Sequence, residues 1–592
     1  MFRLTKTWDL LSNATRNEYL SLSIIPDSAS VFATPGNHFE IYYKPSHVAS
    51  HLNGDNYSFD RTSWRIKHFT PNGIPDYIDE IAWALDSCWE LEVNKFNFIA
   101  PIPYKDNIFQ SEKYKVVAYN ASDYGYTYPF PVSDTILYPK GWSSIIDIAT
   151  NWTALRYDVN PLDAIRVTCA HEFFHAIQFS MTWNVLENFS LMLDDYPLSW
   201  LEGTATSLEE IAFPTVNDYI RYSSHYFSAP DRPFLHDNDI PNAFLYTNSL
   251  LMLYISKILS PSSIEFTRTV QFNNYEKPQP FYSNIRLVSK KFDKQWTDLL
   301  HNFHVASFYT GKYADSSRFL NDAPMFDTIV VHDDSIVLFQ PIVKKVHPYA
   351  MKLFTMRNNT TLPIDSVRLT FKHISQNTTS AADIPWKASI LRIRSSIDTS
   401  IAVSLDNNGD GTHTINAISP NERIIAIVTN GHALESNDYS VLFNDCTDNT
   451  YSSDTIRFST FSIDSQSSAT AFFKLDTTTL SCTPSLSIAT GKIYNEKASS
   501  MSLQLKSAPF LFSYPYFWQG KSSCVFSLSA KNATDADYAV YKWNELKQIW
   551  EKTSGFTNKI IGDNSAFTIN NPVSGIYAIG KIVDTVTISV YP

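Results

Sequence analysis

A short segment of the chain places two histidines and a glutamate at a spacing that suits metal chemistry. Residues 171–175 read His-Glu-Phe-Phe-His. Four residues advance a helix by about 400°, so His171 and His175 would lie within about 40° of each other and about 6 Å apart along the axis. Their imidazoles can therefore bind one metal ion. Glu172 would then reach a water on that metal, which is the position of a general base.

The alternative interpretation of this segment is a pair of core histidines that bind no ligand. It is disfavoured because burying two histidines and a glutamate without partners is costly. The residues around the motif are mostly apolar, from Ile165 and Val167 to Ala176 and Ile177. This pattern predicts a helix that is buried on most sides, which suits a rigid platform for metal ligands.

Two histidines leave a metal site incomplete, so a third ligand is expected. Glu202 is the main candidate, because it lies 27 residues after His175 at the start of the next predicted helix. An antiparallel helix would return its carboxylate to the metal. Asp194 and Asp195, in the intervening loop, are alternative ligands. Glu202 has a second interpretation, as an acidic first-turn residue favoured by the helix dipole.

The candidate ligands are predicted to lie on helices. Apolar residues recur at intervals of three and four in four segments, which predict helices over residues 77–96, 163–181, 198–212 and 243–258. The last of these is apolar all round, which indicates burial. A strand is predicted at residues 115–119. The predicted helices and strand of the first half of the chain together indicate an α+β domain.

From about residue 335 the pattern changes to short β-branched and aromatic runs between Ser, Thr, Asn and Asp clusters, which is typical of β-sandwich modules. The expected fold is multidomain, with all-β sandwich modules after the α+β domain. The predicted parts are an N-terminal extension at 1–34, a catalytic domain at 35–330, a β-sandwich module at 335–446 and a C-terminal β-rich module at 455–592.

Charge and hydropathy exclude several classes of partner. The chain has 592 residues and a net charge of −12, so it will not bind nucleic acid through bulk electrostatics. Its longest notable apolar run, residues 250–255, is far shorter than the roughly 20 residues that cross a bilayer, so no transmembrane segment is expected. The first residues have no apolar stretch typical of a signal peptide, so none is expected in this sequence.

The segments His171-Glu172-Phe173-Phe174-His175-Ala176-Ile177-Gln178 and Trp200-Leu201-Glu202-Gly203-Thr204-Ala205 resemble the gluzincin metallopeptidases. Within them the chain is most similar to a group of secreted bacterial metalloproteases, which also have segments like 72–79 and 124–127. The resemblance covers roughly residues 35–310. It implies a zincin-like catalytic domain, a Zn²⁺ ion bound by His171, His175 and Glu202, Glu172 as catalytic base, and a secreted or cell-surface location.

One departure from that family concerns the environment of the ligands. In thermolysin-like gluzincins an Asp four residues after the third ligand orients a ligating histidine, whereas Thr206 stands there in this chain. Another group must therefore orient the histidine. Glu209 and Glu210 lie two turns after Glu202 and are expected to be solvated or to support the ligands.

Peptide hydrolysis would need a further donor for the developing oxyanion. Tyr246 is the candidate, because several gluzincins place a Tyr at the start of a comparable helix. His225 and His236 are alternatives, and each of the three also suits an ordinary structural role. An edge strand should bind the backbone of an extended peptide, and residues 135–138 are the candidate.

Weaker signals concern the β-modules. Residues 406–411 match the first half of an EF-hand loop, but Ala417 stands where the loop needs a Glu, so a hairpin turn is expected. Cys482 and Cys524 can pair, whereas Cys88 and Cys169 are expected to be buried thiols. The aromatic residues around Trp543 suit a sandwich core or a surface that contacts carbohydrate.

The sequence favours a zinc-dependent endopeptidase with accessory β-modules, acting on a protein or peptide substrate. A second hypothesis is an inactive zincin-fold protein that serves in binding or adhesion. A third is a zinc hydrolase of a non-peptide amide or ester. The intact Glu172 argues against the second hypothesis, since a binding protein has no need of a general base.

Overall fold

The structure is a computed structural model of the chain, and it describes most residues between 29 and 583. The described ranges are 29–47, 54–59, 67–105, 111–119, 124–130, 132, 136–151, 160–182, 196–236, 242–259, 264–277, 280–332, 334, 341–358, 364–374, 385–445, 455–457, 461–464, 467–475, 485–488, 497–498, 501–507, 509–513, 522–533, 536–544, 547, 549–561, 564–570, 572–573 and 575–583.

The N-terminal half contains a mixed six-stranded sheet. Its central strands run parallel in the order β2-β6-β8-β5, while β1 pairs antiparallel with β2 and β7 pairs antiparallel with the other side of β8. Two further strands form a small separate ladder. The strands of this half are β1 (Ser30–Ala33), β2 (Phe39–Tyr43), β3 (Ser58–Phe59), β4 (Lys67–His68), β5 (Ile102–Pro103), β6 (Tyr114–Tyr119), β7 (Gly125–Phe130) and β8 (Ser143–Ala149).

Nine α-helices lie among the described residues. They are α1 (Asp76–Cys88), α2 (Pro161–Ser180), α3 (Leu198–Ala212), α4 (Ile220–Ser228), α5 (Asn242–Tyr246), α6 (Asn248–Leu259), α7 (Glu265–Glu276), α8 (Phe281–Lys291) and α9 (Trp296–Ala306). The predictions for α2 and α3 are confirmed. The helix predicted at 77–96 changes to a π-helical stretch at Trp89–Lys95. The single helix predicted at 243–258 is wrong, because the chain breaks at Thr247 into α5 and α6.

Helices α1 and α2 pack on one face of the sheet around a continuous apolar core. Ile78 and Ile81 of α1, Phe173 of α2, and Ile146 and Ile148 of β8 are all fully buried in this core. Helix α2 begins at a proline, and the Asn160 side chain accepts a hydrogen bond from Leu162 N at 3.1 Å, a favourable helix start. The buried platform expected from the sequence is therefore present.

The region after residue 341 forms a β-sandwich of two antiparallel four-stranded sheets, in the orders β10-β15-β12-β13 and β14-β11-β16-β9. Their inner faces share one apolar core. The strands are β9 (Ile342–Val346), β10 (Met351–Arg357), β11 (Ile364–Ile374), β12 (Trp386–Ile393), β13 (Ile397–Val403), β14 (Gly411–Ile418), β15 (Arg423–Asn430) and β16 (Asn437–Asp445).

The hairpin predicted at residues 406–411 is wrong. The segment connects β13 to β14, and these strands belong to different sheets, so the turn crosses the sandwich. The carboxylate of Asp406 accepts hydrogen bonds from Asn408 N at 2.8 Å and Asp410 N at 2.9 Å. This Asx-type bonding to the backbone explains why the segment is rich in Asp, Asn and Gly.

The helical region and the sandwich share a second core. Trp296 and Phe303 of α9 pack in the same buried cluster as Met351, Leu391 and Ile425 of the sandwich. The outer face of one sandwich sheet is therefore covered by helices, and the two regions bury apolar surface against each other.

The C-terminal part is all-β, with two further sheets. The first has the order β17-β19-β24-β28-β27, with β18 beside β19, and the second has the order β20-β23-β29-β22-β21, with β25 and β26 attached. The strands are β17 (Thr455–Arg457), β18 (Phe461–Asp464), β19 (Ser467–Leu475), β20 (Ser485–Ile488), β21 (Lys497–Ala498), β22 (Met501–Leu505), β23 (Phe510–Ser513), β24 (Ser522–Lys531), β25 (Ala539–Asn544), β26 (Ile549–Lys552), β27 (Phe556–Ile561), β28 (Asn564–Asn570) and β29 (Gly575–Val583).

Two sequence predictions about the C-terminal part have different outcomes. Trp543 and Trp550 are buried in a core cluster, as the core interpretation expected. The predicted Cys482–Cys524 pair lies outside the residues whose side chains are described.

In the N-terminal half, Cys88 and Cys169 are buried free thiols, as predicted. None of the described helices is long and apolar enough to cross a membrane.

Candidate metal centre

The structure brings His171, His175 and Glu202 together in a buried group. His171 Nε2 lies 3.0 Å from His175 Nε2 and 3.1 Å from Glu202 Oε2, and His175 Nε2 lies 3.6 Å from the same carboxylate oxygen. Each of the three residues is less than one-tenth exposed. One ligand atom from each residue lies within 4.8 Å of the others, so this group can hold a metal ion.

A close contact between helices holds Glu202 in place. The next residue, Gly203, faces the start of α6, where an added Cβ would lie 2.5 Å from the Asn248 Cβ. Any larger residue at position 203 would push α3 away from α6. The glycine therefore allows the packing that directs Glu202 towards the two histidines.

Each histidine is oriented by a hydrogen bond at its other ring nitrogen. His171 Nδ1 lies 2.7 Å from Glu209 Oε1, and His175 Nδ1 lies 2.7 Å from Gln178 Oε1. Because both partners are acceptors, both Nδ1 atoms carry the proton. Both Nε2 atoms then converge with the Glu202 carboxylate, an arrangement that can hold a shared cation.

Glu209 fills the role that the sequence left open at Thr206. It lies seven residues after Glu202, so the two carboxylates are almost two full turns apart and face the same side of α3. Burial raises the pKa of Glu209 to about 7, although its contact with His171 opposes the shift. The sequence offered Glu209 as a group that is solvated or supports the ligands, and its contact with His171 favours the second of these.

The charges of this group are strongly coupled. Burial alone would lower the pKa of His171, but hydrogen bonds to Glu202 and Glu209 raise it well above its ordinary value. Burial opposes the ionised form of Glu202, yet the two histidines hold its pKa well below the usual range. A buried carboxylate therefore stays ionised beside two nitrogen donors, which is the electrostatic environment that attracts a cation.

Glu172 lies against the edge strand β7. Thr127 Oγ1 is 2.8 Å from Glu172 Oε2 and 2.8 Å from its backbone oxygen, so the hydroxyl can donate to either. An added Cβ on Gly125 would lie 2.9 Å from the Glu172 Cγ, so only glycine allows the strand so near. Burial raises the pKa of Glu172, which strengthens the carboxylate as a proton acceptor.

The edge strand predicted at residues 135–138 is wrong where the structure describes it. Ile136 and Leu137 lie in an exposed turn, and β7 is the strand beside the buried group. The apolar run suggested a strand, but both side chains face solvent. The real edge strand has glycine and threonine at positions 125 and 127, which fit against α2.

Tyr246 lies beside the candidate ligands, as predicted, but at the end of α5. Its ring centroid is 6.0 Å from that of His171 and 4.8 Å from that of Tyr222, on which it stacks. The charge of Glu202, followed by burial, raises the pKa of Tyr246 well above its ordinary value. The phenol therefore keeps its proton and can donate a hydrogen bond.

The remaining sequence candidates have no described role at this centre. His225 is exposed in the last turn of α4. His236 follows α4 in a loop, and its buried Nδ1 has no hydrogen-bond partner among the residues that the structure describes. Asp194 and Asp195 lie outside the described residues.

A comparison with models of known protein families found no match, and a search of curated protein sequences found none either. The chemistry of the centre is therefore the guide to function. The centre combines two imidazoles, one ionised carboxylate, a nearby carboxyl group with raised proton affinity, and a protonated phenol. Such a group can hold a cation and transfer a proton next to it.

Proposed function

We propose that this protein is a zinc-dependent endopeptidase of the gluzincin type, with a zincin-like catalytic domain. The observation that carries the proposal is the convergence of the His171 and His175 Nε2 atoms with the Glu202 carboxylate, beside a separate buried glutamate. Two histidines and one glutamate are a known set of protein ligands for catalytic zinc. Three protein ligands leave one coordination position open in such a site.

The donor chemistry favours zinc over calcium and magnesium. Imidazole nitrogen suits zinc, whereas calcium and magnesium prefer oxygen ligands. When bound, zinc acts as a Lewis acid and lowers the pKa of its water to about 7. His171 and His175 would hold it through Nε2, and Glu202 through its carboxylate.

Glu172 would act as the general base and then as the general acid. Its burial raises its pKa, so it can accept a proton from the attacking water and later give that proton to the leaving amine. Thr127 would hold the carboxylate in position through its hydroxyl. Because Glu172 follows His171 directly, its side chain is kept close to the ligands.

Tyr246 and β7 would position the substrate. The protonated Tyr246 phenol can donate to the carbonyl oxygen as negative charge develops there. Strand β7 pairs only with β8 among the described strands. Its other edge can therefore bind an extended peptide backbone, which suits hydrolysis within a chain.

The location and further contacts are also proposals. The similarity of the two motifs to secreted bacterial metalloproteases supports a secreted or cell-surface protein. In this proposal the C-terminal all-β modules contact a surface or carbohydrate through residues other than the buried Trp543 and Trp550. The negative net charge of the chain argues against nucleic acid as a partner.

The test is a fluorogenic peptide-library assay on wild type and Glu172→Gln, with zinc content measured for both. Wild type should cleave peptides, and the variant should retain zinc while losing about 10³-fold or more of the activity. Zinc-loaded wild type that cleaves no peptide would contradict the proposal. Cleavage of non-peptide amides or esters would then support another hydrolase, and no hydrolysis of any kind would support an inactive binding protein.

A further inference from the structure

Gln178 lies between the two helices that carry the candidate ligands. It is on α2, three residues after His175, and only 5% of it is exposed. Its Oε1 is 2.7 Å from His175 Nδ1. Its Nε2 is 3.1 Å from the Leu201 carbonyl oxygen and 2.8 Å from Thr204 Oγ1, both on α3. One buried amide therefore contacts both helices.

The orientation of this amide follows from its partners. The Leu201 carbonyl can only accept a hydrogen bond, so the Gln178 nitrogen must face α3. The Gln178 oxygen then faces His175, and the proton of that imidazole must lie on Nδ1. The opposite orientation would place two acceptors together at Leu201, with no bond made there. The amide thus fixes which nitrogen of His175 carries the proton and which one can bind a metal.

The same amide also controls the third ligand. Leu201 and Thr204 flank Glu202, so two hydrogen bonds from Gln178 hold the turn of α3 that bears the carboxylate. Thr204 Oγ1 can donate to the Trp200 carbonyl oxygen at 2.7 Å, which leaves its lone pair for Gln178. Glu209, by comparison, contacts His171 alone among the three ligands.

We propose that Gln178 is a positioning residue that sets the geometry of the metal centre, by fixing the tautomer of His175 and the position of Glu202 together. This inference rests on the proposed metal site. Only a primary amide of this length can accept from the imidazole and donate to α3. A carboxylate would keep the first contact and lose the second, and a thioether would lose both.

The test compares Gln178→Glu and Gln178→Met with wild type, using zinc competition against a chelator and the visible absorption spectrum of the Co²⁺-substituted protein. Gln178→Met, close in size, should weaken zinc binding about 10- to 100-fold and change the Co²⁺ spectrum. Gln178→Glu should also weaken binding, because it cannot donate to Leu201. Wild-type affinity and an unchanged spectrum in both variants would overturn the proposal.

Two controls separate this proposal from others. The first control is circular dichroism of the metal-free variants, which shows whether they fold. The second is Thr204→Val, a milder change that removes the hydroxyl acceptor of the Gln178 nitrogen and leaves His175 in contact with Gln178. It should shift the Co²⁺ spectrum with a smaller loss of affinity, and a spectrum identical to wild type would count against the role of α3. If wild type binds neither Zn²⁺ nor Co²⁺, the proposed function itself fails. If wild type binds both and the variants bind equally well, only the role of Gln178 fails.

Discussion

Two buried histidines make the contact between α9 and the sandwich sensitive to acid. His301 Nδ1 is 2.8 Å from Thr429 Oγ1 and its Nε2 is 2.8 Å from Ser389 Oγ, while His304 Nδ1 is 3.0 Å from the same threonine. The charged groups nearby are Lys387 and Asp298, which pair with each other at 2.7 Å. A proton on either ring would therefore have no carboxylate partner of its own.

The sign and size of the effect follow from the pKa values. Burial lowers the pKa of His301 to about 3 and that of His304 well below its ordinary value, which is near 6.5 in an unfolded chain. Below about pH 6.5 only the unfolded state takes up these protons, so stability falls by about 1.4 kcal/mol per pH unit for each histidine. Between about pH 6.5 and 4.5 the pair should lose about 5 kcal/mol, a large part of a typical folding free energy.

Other groups act in the opposite direction, so a matched variant is needed. Burial raises the pKa of Glu210 to about 8 and that of Asp79 to about 7, and such carboxyl groups stabilise the folded state as pH falls. The double variant His301→Gln/His304→Gln cannot titrate at these positions. Comparing it with wild type cancels the carboxyl contributions.

The assay is urea unfolding of both proteins at about pH 7 and about pH 4.5, followed by circular dichroism. The variant should be the less stable protein at neutral pH, because it loses the hydrogen bonds at Ser389 and Thr429. Acidification should then reduce the difference by about 5 kcal/mol, or reverse it. Equal changes in the two unfolding free energies would show that His301 and His304 do not cause the loss of stability in acid.

Further predictions concern the centre and the shared core. Glu209→Ala should weaken zinc binding about 10- to 100-fold in chelator competition, and unchanged affinity would contradict its role at His171. Thr127→Val should lower kcat about tenfold with zinc content unchanged, while the kcat of Thr127→Ser should stay near that of wild type. Equal rates for all three proteins would exclude a role of the Thr127 hydroxyl in catalysis. Tyr246→Phe should lower kcat about 10²-fold with little change in KM, and a pure KM effect would contradict transition-state stabilisation. A chain ending at residue 332 should aggregate in light scattering because its shared core is exposed, whereas one ending at 445 stays soluble; a soluble folded shorter chain would contradict the shared core.

The ligand residues could be predicted because their geometry is local. The spacing of His171 and His175 is set by one helix, and Glu202 lies in the next helix, whose apolar pattern was clear. The large region from residue 335 was predicted to be β-rich for the same reason, since alternation within short segments determines which residues are buried. The four-residue spacing and the β-branched runs can be interpreted without knowing which distant residues are in contact.

Two residues that support the centre, Thr127 and Gln178, could not be predicted because they act across the fold. Thr127 reaches Glu172 only through the pairing of β7 with β8, and Gln178 reaches α3 only once the helices pack. The break at Thr247 has a local cause that apolar periodicity missed. Thr247 Oγ1 donates to the Phe244 carbonyl oxygen at 2.7 Å, and such side-chain bonds compete with the helix.

Whether His171, His175 and Glu202 hold a zinc ion can be measured by mass spectrometry of the purified protein. Wild type and His175→Ala are compared after identical zinc loading and desalting. We expect about one zinc ion per wild-type chain and almost none in the variant, because losing one of three ligands leaves an incomplete site. A folded wild-type protein that retains no zinc, or a variant that retains as much as wild type, would contradict the account.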